Sequence, residues 1–202
     1  MALLSTSEGK AAIGGFSSSS TADDTLIDAL IAGIGVAFAQ WCRFPRTAAG
    51  TWSLESATYT LYLMGDGSDR LRLGVRPLVS VTSIYDDTAR SYGASTLVAS
   101  SDYSGGVDLD TGCVWLLPTG SKVLWSNGTP RAIKATFVAG YSTVDEGLKE
   151  AARSTLRAIW TRRKLGETTE SVSAQGSSVS VAPSDIPKAA QLLLAARRLA
   201  VM

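Results

Sequence analysis

The sequence predicts an α+β fold: a small helical bundle of three main helices with an inserted antiparallel β module of about six short strands. Three observations carry this reading. Apolar residues recur at helical spacing towards both ends of the chain, the period changes to two between about residues 56 and 140, and Gly/Asp/Asn turns punctuate the alternating runs.

With 202 residues, 45% of them apolar and 18% charged, most of the chain can bury a core. The formal net charge of +1 lacks the Lys/Arg excess of a free nucleic-acid binder. Two cysteines, Cys42 and Cys113, and no histidine leave a zinc site or a disulfide framework without materials. The usual general base for a Ser or Cys nucleophile is missing as well, so only Lys and carboxylate variants remain. No apolar run approaches the roughly eighteen residues of a membrane span. The opening "MALLSTSEGKAAIGGF" places its only early Lys after the apolar residues, the wrong order for a signal peptide. An intracellular, reducing setting without a membrane is expected.

Residues 1–20 end in "GGFSSSS" and are expected to form a flexible N-terminal arm. Thr21 and Asp24 then make an acidic variant of the capping box, and Ile27, Ile31, Ile34, Phe38 and Trp41 share a helical face, which predicts a helix over about 22–42. Gly33 and Gly35 oppose that helix by roughly 2 kcal/mol together. Ala29, Gly33 and Ala37 form a small-residue strip that suits close approach of another helix, in the same chain or in a neighbouring subunit.

In the β module, "TYTLYLMGDGSDRLRLG" reads as strand, turn, strand, a hairpin signature. "LVSVTSIY", "STLVA", "GVDLDTGCVWLL" with a turn at Asp110–Gly112, "KVLW" and "AIKATFVAGY" follow. The helical period returns over about 145–165, where Leu148, Ala152, Leu156, Ile159 and Trp160 share a face and basic residues at the C-terminal end complement the dipole. A polar, Ser-rich loop is expected over 166–183. Ser184 is expected to cap a last helix over about 184–200, with Pro187 in its first turn.

Several short motifs invite chemical readings. Asp110-Thr111-Gly112 matches the catalytic tripeptide of aspartic proteases, but Cys113 stands where Ser or Ala usually follows, and a β-turn explains the same residues. "DGSD" (66–69) and "DLDTG" (108–112) look like fragments of calcium loops without the closing Glu, since Thr119 occupies that position. "GIG" (33–35) lies inside a helix and is no dinucleotide fingerprint, and "NGTP" (127–130) reads as a turn. Residues 141–202 carry nine Lys/Arg against six Asp/Glu, a modest excess that an acidic partner or a solvated helix face would each explain. Trp115 and Trp125 are candidate stacking platforms for a carbohydrate or receptor, although their alternation with aliphatic residues suits a core.

The order helix, β module, helix, polar loop, helix, with "RPLVSVTSIYDD", "DTGCVWL" and "KATFVAGYSTVDEGLKEAAR" at its junctions, resembles the head-to-tail connector, or adaptor, proteins of tailed double-stranded DNA bacteriophages. The resemblance spans roughly 22–198. The chain departs from many of those relatives at Asp145, where they have Pro, and at Ala195 or Ala196, where they have an aromatic residue. The resemblance implies a non-enzymatic virion protein of the neck, assembled in the host cytoplasm, without cofactor or metal. Such proteins form a ring, usually dodecameric, which docks on the portal protein, lengthens the DNA channel and receives the next neck, tail-terminator or tail protein. Genomic DNA passes through the lumen without specific binding. On this reading Asp86 and Asp87 end a strand at a turn, and the candidate interface residues are Ala29, Gly33 and Ala37 of the first helix with Leu193, Leu194, Arg197 and Arg198 of the last.

Overall fold

The computed structural model describes residues 3–15, 21, 23–164 and 181–199. Among these residues it is mixed α+β: four α-helices and two small antiparallel sheets of three strands each. The chain divides into a helical unit, formed by the segments up to Phe44 and from Thr143 to Arg198, and a β unit spanning Pro45–Ser142.

The helical unit is built on α2 (Asp24–Trp41), whose buried residues Ile27, Leu30, Ile31, Ile34, Ala37, Phe38 and Ala39 follow the helical period. By length and mean hydropathy α2 could cross a membrane, contrary to the expectation that no segment could. Much of its apolar surface is instead core. The expected Thr21/Asp24 capping box does not form. Asp23 occupies the N-cap without a side-chain hydrogen bond, and the Asp24 carboxylate is drawn to the ammonium of Lys10.

Lys10 belongs to an element that the sequence reading did not place. Within the expected flexible arm 1–20, residues Thr6–Ile13 form α1, closed by a complete capping box: Ser5 Oγ accepts from the Glu8 N–H at 3.2 Å and the Glu8 carboxylate accepts from the Ser5 N–H at 2.8 Å. Short as it is, this helix is fixed by docking. Leu3 and Leu4 are buried, Thr6 donates to Asp28 at 2.7 Å, and the Arg157 guanidinium donates to the Ala12 carbonyl at 2.9 Å. Gly9 makes the close approach possible, since a Cβ there would lie 2.9 Å from Ile27 Cγ2 and 3.1 Å from Ile31 Cδ1. Residues 16–20 of the expected arm lie outside the described residues.

Helix α3 (Glu146–Lys164) buries Leu148, Ala151, Ala152, Leu156, Ile159 and Trp160. Its expected span of about 145–165 agrees to within a residue. Asp145 caps it, accepting from the Leu148 N–H at 2.8 Å. Most of the expected polar loop 166–183 lies outside the described residues. After it, Pro183–Asp185 form a single 3-10 turn and α4 runs only Lys188–Ala195, shorter than the expected 184–200. Ser184 is no cap, because Pro187 holds Ile186 in an extended conformation and the helix starts only beyond it.

In the β unit, β1 (Ala57–Leu63), β6 (Ile133–Ala139) and β3 (Leu78–Asp86) form the first sheet in the order β1-β6-β3. β6 alternates cleanly: Ile133, Ala135, Phe137 and Ala139 are buried, while Lys134, Thr136 and Val138 face outward. Tyr59 stacks on Phe137 on the inner face, with ring centroids 5.9 Å apart. The second sheet joins β2 (Arg70–Arg72), β5 (Cys113–Trp115) and β4 (Val107–Asp108) in the order β2-β5-β4.

The expected hairpin between β1 and β2 is therefore absent: the two strands lie in different sheets. The connector explains this, because Gly65 runs so close to the 126 backbone that a Cβ would meet Ser126 O at 2.2 Å, and Asp66 bridges to Asn127. "STLVA" is a 3-10 turn (Ala94–Thr96) with one bridge from Leu97 to Tyr85, and "KVLW" forms no strand.

Candidate functional site

The small-residue strip on α2 is only partly available. Ala37 is fully buried within the chain, whereas Ala29 and Gly33 are half-buried. Ala37 is thus a core residue of its own chain. On α4 the same division falls between adjacent leucines: Leu194 is fully buried, while Leu192 is 77% and Leu193 40% exposed.

The arginines that follow are engaged within the chain. Arg197 Nη2 pairs with the Asp145 carboxylate and its Nη1 donates to the Leu193 carbonyl at 2.8 Å, while the Arg198 guanidinium lies 5.1 Å from the Trp41 ring centroid. Asp145 therefore links the start of α3 to the end of α4. Burial, the largest single influence, pushes its carboxyl up, but the Leu148 N–H and the Arg197 guanidinium together hold it below its ordinary value. The Cys42 thiol, 3.9 Å from the Leu194 carbonyl, is pushed up to about 11 by burial against the pull of Arg197 and Arg198. It is a packed thiol with no thiolate to offer. Of the expected interface residues, Leu193 is exposed and Ala29 and Gly33 are half-buried, and exposed Leu192 and Val36 lie on the same two helices.

The two acids that close β3 divide the labour. Asp87 is buried and builds a loop, accepting from the N–H groups of Ala89 (2.8 Å), Ser91 (2.9 Å) and Tyr92 (2.7 Å) and from the Ser91 hydroxyl (2.7 Å). That hydroxyl, with the amides behind it, keeps the carboxyl below its ordinary range despite desolvation. Asp86 turns inward with its side chain 1% exposed, one oxygen accepting from the Ser126 N–H and pairing with Lys122 at 2.9 Å. Asp87 thus holds the loop that follows β3, whereas Asp86 ties the strand end to the 122–126 segment.

Asp110-Thr111-Gly112 is the turn between β4 and β5. The Asp108 carboxylate accepts from Thr111 Oγ1 at 2.6 Å and from the N–H groups of Asp110 and Thr111, and Gly112 sits at φ 67° with its Cα packed over the Val75 carbonyl. Exposed Asp110 presents the geometry of a turn, not of a catalytic pair. Trp125 is buried, with its indole N–H donating to the Asp69 carbonyl at 3.0 Å, and Trp115 is half-buried, so neither is a platform in an open groove. Among the described residues no group of three or more His, Cys, Asp or Glu side chains could hold a metal.

A second surface escaped the sequence reading. On the outer face of the first sheet, Lys134 lies in register between Tyr62 of β1 and Tyr85 of β3, its ammonium 5.5 Å from the rings of Tyr85 and Tyr92. Arg131 stacks at 4.6 Å over Tyr62, which tilts against Tyr92 at 5.5 Å. Strand alternation alone could have placed Tyr62, Lys134 and Tyr85 outward. Their convergence required the pairing.

No protein-family model matches the chain. No curated protein matches it either.

Proposed function

We propose that the chain is a structural protein of a bacteriophage neck, which assembles into a ring on the portal, extends the DNA channel and presents a surface to the next neck or tail component. The motif order quoted above supports the reading, and the observation that carries it in the fold is the exposed leucine pair at the end of α4. A helix that buries Ala190 and Leu194 in its own unit while leaving Leu192 and Leu193 in solvent has a second apolar edge for another molecule.

Heterologous contacts that close into a ring need two different surfaces per subunit. The leucine edge of α4 is one, and the half-buried Ala29–Gly33 flank of α2 is the other. Arg197 and Arg198, already held by Asp145 and Trp41, act inside this scheme as struts that fix the end of α4. The test is substitution of the exposed pair. Leu192→Ser with Leu193→Ser should leave the melting temperature within a few degrees of the parent while abolishing sedimentation of the protein with portal-bearing heads; undiminished attachment would remove α4 from the contact.

A further inference from the structure

The segment that follows β5 is pinned on both sides of an apolar crest. On one side the Lys122 N–H donates to the Asp102 carboxylate at 3.2 Å, and the Lys122 ammonium pairs with Asp86 at 2.9 Å. On the other, the Trp125 N–H donates to the Ser68 carbonyl at 2.9 Å and its indole N–H to the Asp69 carbonyl at 3.0 Å. Between these anchors Val123 and Leu124 stay in solvent, with Leu124 55% exposed. Apolar side chains held out on a fixed backbone have already lost the freedom that a binding loop must otherwise give up.

Beside the crest lies a cleft of about 350 Å³ lined by residues 62–66 and 70–72. Ser68, which takes the Trp125 N–H, sits in the turn that joins those two stretches, and Gly65 of the lining packs so close to the Ser126 carbonyl that no Cβ fits. Exposed Tyr62 and Met64 in the lining therefore make one apolar cluster with Val123 and Leu124, instead of scattered single side chains. The rim of this cluster carries charge of both signs. Asp66 leans on Arg70 within the chain. Asp69 and Arg72 are exposed at the same rim, and among the described residues neither side chain has an ion pair. One acid and one base are left over.

A nucleic acid would bring its phosphates against the Asp66 and Asp69 carboxylates, and a uniformly acidic or basic polypeptide would set one of the two free charges against its own sign. A second copy of the same surface answers both. A two-fold axis through the cluster sets each Asp69 against the other copy's Arg72 and each Leu124 over the other copy's cleft, which requires crest and cleft to lie side by side. We propose that this face of the β unit is a self-complementary contact, on which two copies of the chain pair about a two-fold axis with an apolar centre and a rim of Asp69–Arg72 pairs. The patch is small, so the pair is transient, in the class of contacts that bury less than about 1,200 Å². It is separate from the ring contact proposed for α2 and α4, since it uses other residues and forms without a portal.

Sedimentation velocity of the full chain at rising concentration tests it. The expected result is a monomer that passes to a dimer, and no further, between about 10 µM and 1 mM, the affinity range of a small transient contact. Leu124→Ser should weaken pairing at least about tenfold, the cost of truncating a central apolar anchor. Asp69→Arg and Arg72→Asp should each abolish self-pairing, because each opposes like charges twice across the axis. Mixed in equal amounts, these two variants should pair again, since one then carries bases at 69 and 72 and the other acids. Circular dichroism checks that each variant is folded. A parent chain that stays monomeric throughout that range would overturn the proposal, as would failure of the mixed charge variants to pair. So would growth past the dimer that Leu124→Ser removes, because a two-fold contact closes on itself. Pairing that survives the Leu124 and charge variants but is lost with Leu192→Ser/Leu193→Ser would also overturn it, placing the contact on α4.

Discussion

Asp87 and Asp110 are both exposed to the same question, whether an acid near a strand end is chemical or architectural, and their surroundings give measurable answers. Asp87→Ala removes the acceptor of three N–H groups and a hydroxyl, so the 88–92 loop should lose its fixed form and the melting temperature should fall. Asp110→Asn should be silent, because its side chain makes none of the hydrogen bonds that hold the turn. The carboxyls of Asp87, Asp102 and Asp108 are all held below the ordinary 3.8, each chiefly by a neighbouring hydroxyl. A depressed acid stabilises the fold fully above its unfolded value and loses that contribution as pH falls through its folded one. Thermal melts should therefore be flat with respect to these groups above about pH 5 and decline below pH 3.8, and Asp87→Asn should flatten part of that decline. Sequence alone made the Asp110 turn legible, because Asp-Thr-Gly between two alternating runs has a local cause. That Asp87 would organise a loop was not legible, since its donors at 89, 91 and 92 have no periodic signature.

Among the elements, α1 shows what a pattern can reveal and what composition can conceal. Its capping box Ser5-Thr6-Ser7-Glu8 is written in the chain, but the Gly/Ser stretch behind it reads as an arm, and the contacts that hold it come from α2 and α3, far away in sequence. Glu8 is lowered to about 2, first by the Ser5 N–H and then by Lys149. Its contribution should be complete above pH 4.5 and vanish as pH falls from 4.5 through about 2, and Glu8→Gln should remove that dependence from the melting curve. Gly9→Val should cost about 1–3 kcal/mol in denaturant titration, because the added methyls enter space already filled by Ile27, Ile31 and Leu156. Gly9→Ala should also destabilise, though less than Gly9→Val, because its single methyl would lie 2.9 Å from the Ile27 Cγ2 branch methyl of a fully buried side chain. The β1–β2 hairpin failed for the converse reason: its alternation and turn residues were locally correct, but Gly65 and the Asp66–Asn127 bridge tie the connector to a distant segment.

For the whole molecule, the α+β class and the placing of a β module between helices were legible from period alone, because 3.6 and 2 are set by backbone geometry. The division of the strands between two sheets was not, since pairing depends on contacts far apart in sequence. The same holds for the proposed interface: a run of three leucines marks α4 as more apolar than one face needs, but only the fold shows that Leu194 is core and Leu192 is not. Leu194→Ala should destabilise by about 2–5 kcal/mol whatever the protein binds. Loss of attachment in that variant would be uninformative by itself, and deletion of α4 would share the fault, because it uncovers the surfaces that Ala190 and Leu194 fill. The neck assignment is most directly tested by electron microscopy of the purified chain mixed with DNA-filled heads that carry the portal from the same genome but lack this protein. The account predicts a ring of extra density on the portal vertex of heads given the parent chain, and bare vertices with the Leu192→Ser/Leu193→Ser variant. Bare vertices with the folded parent chain would contradict it.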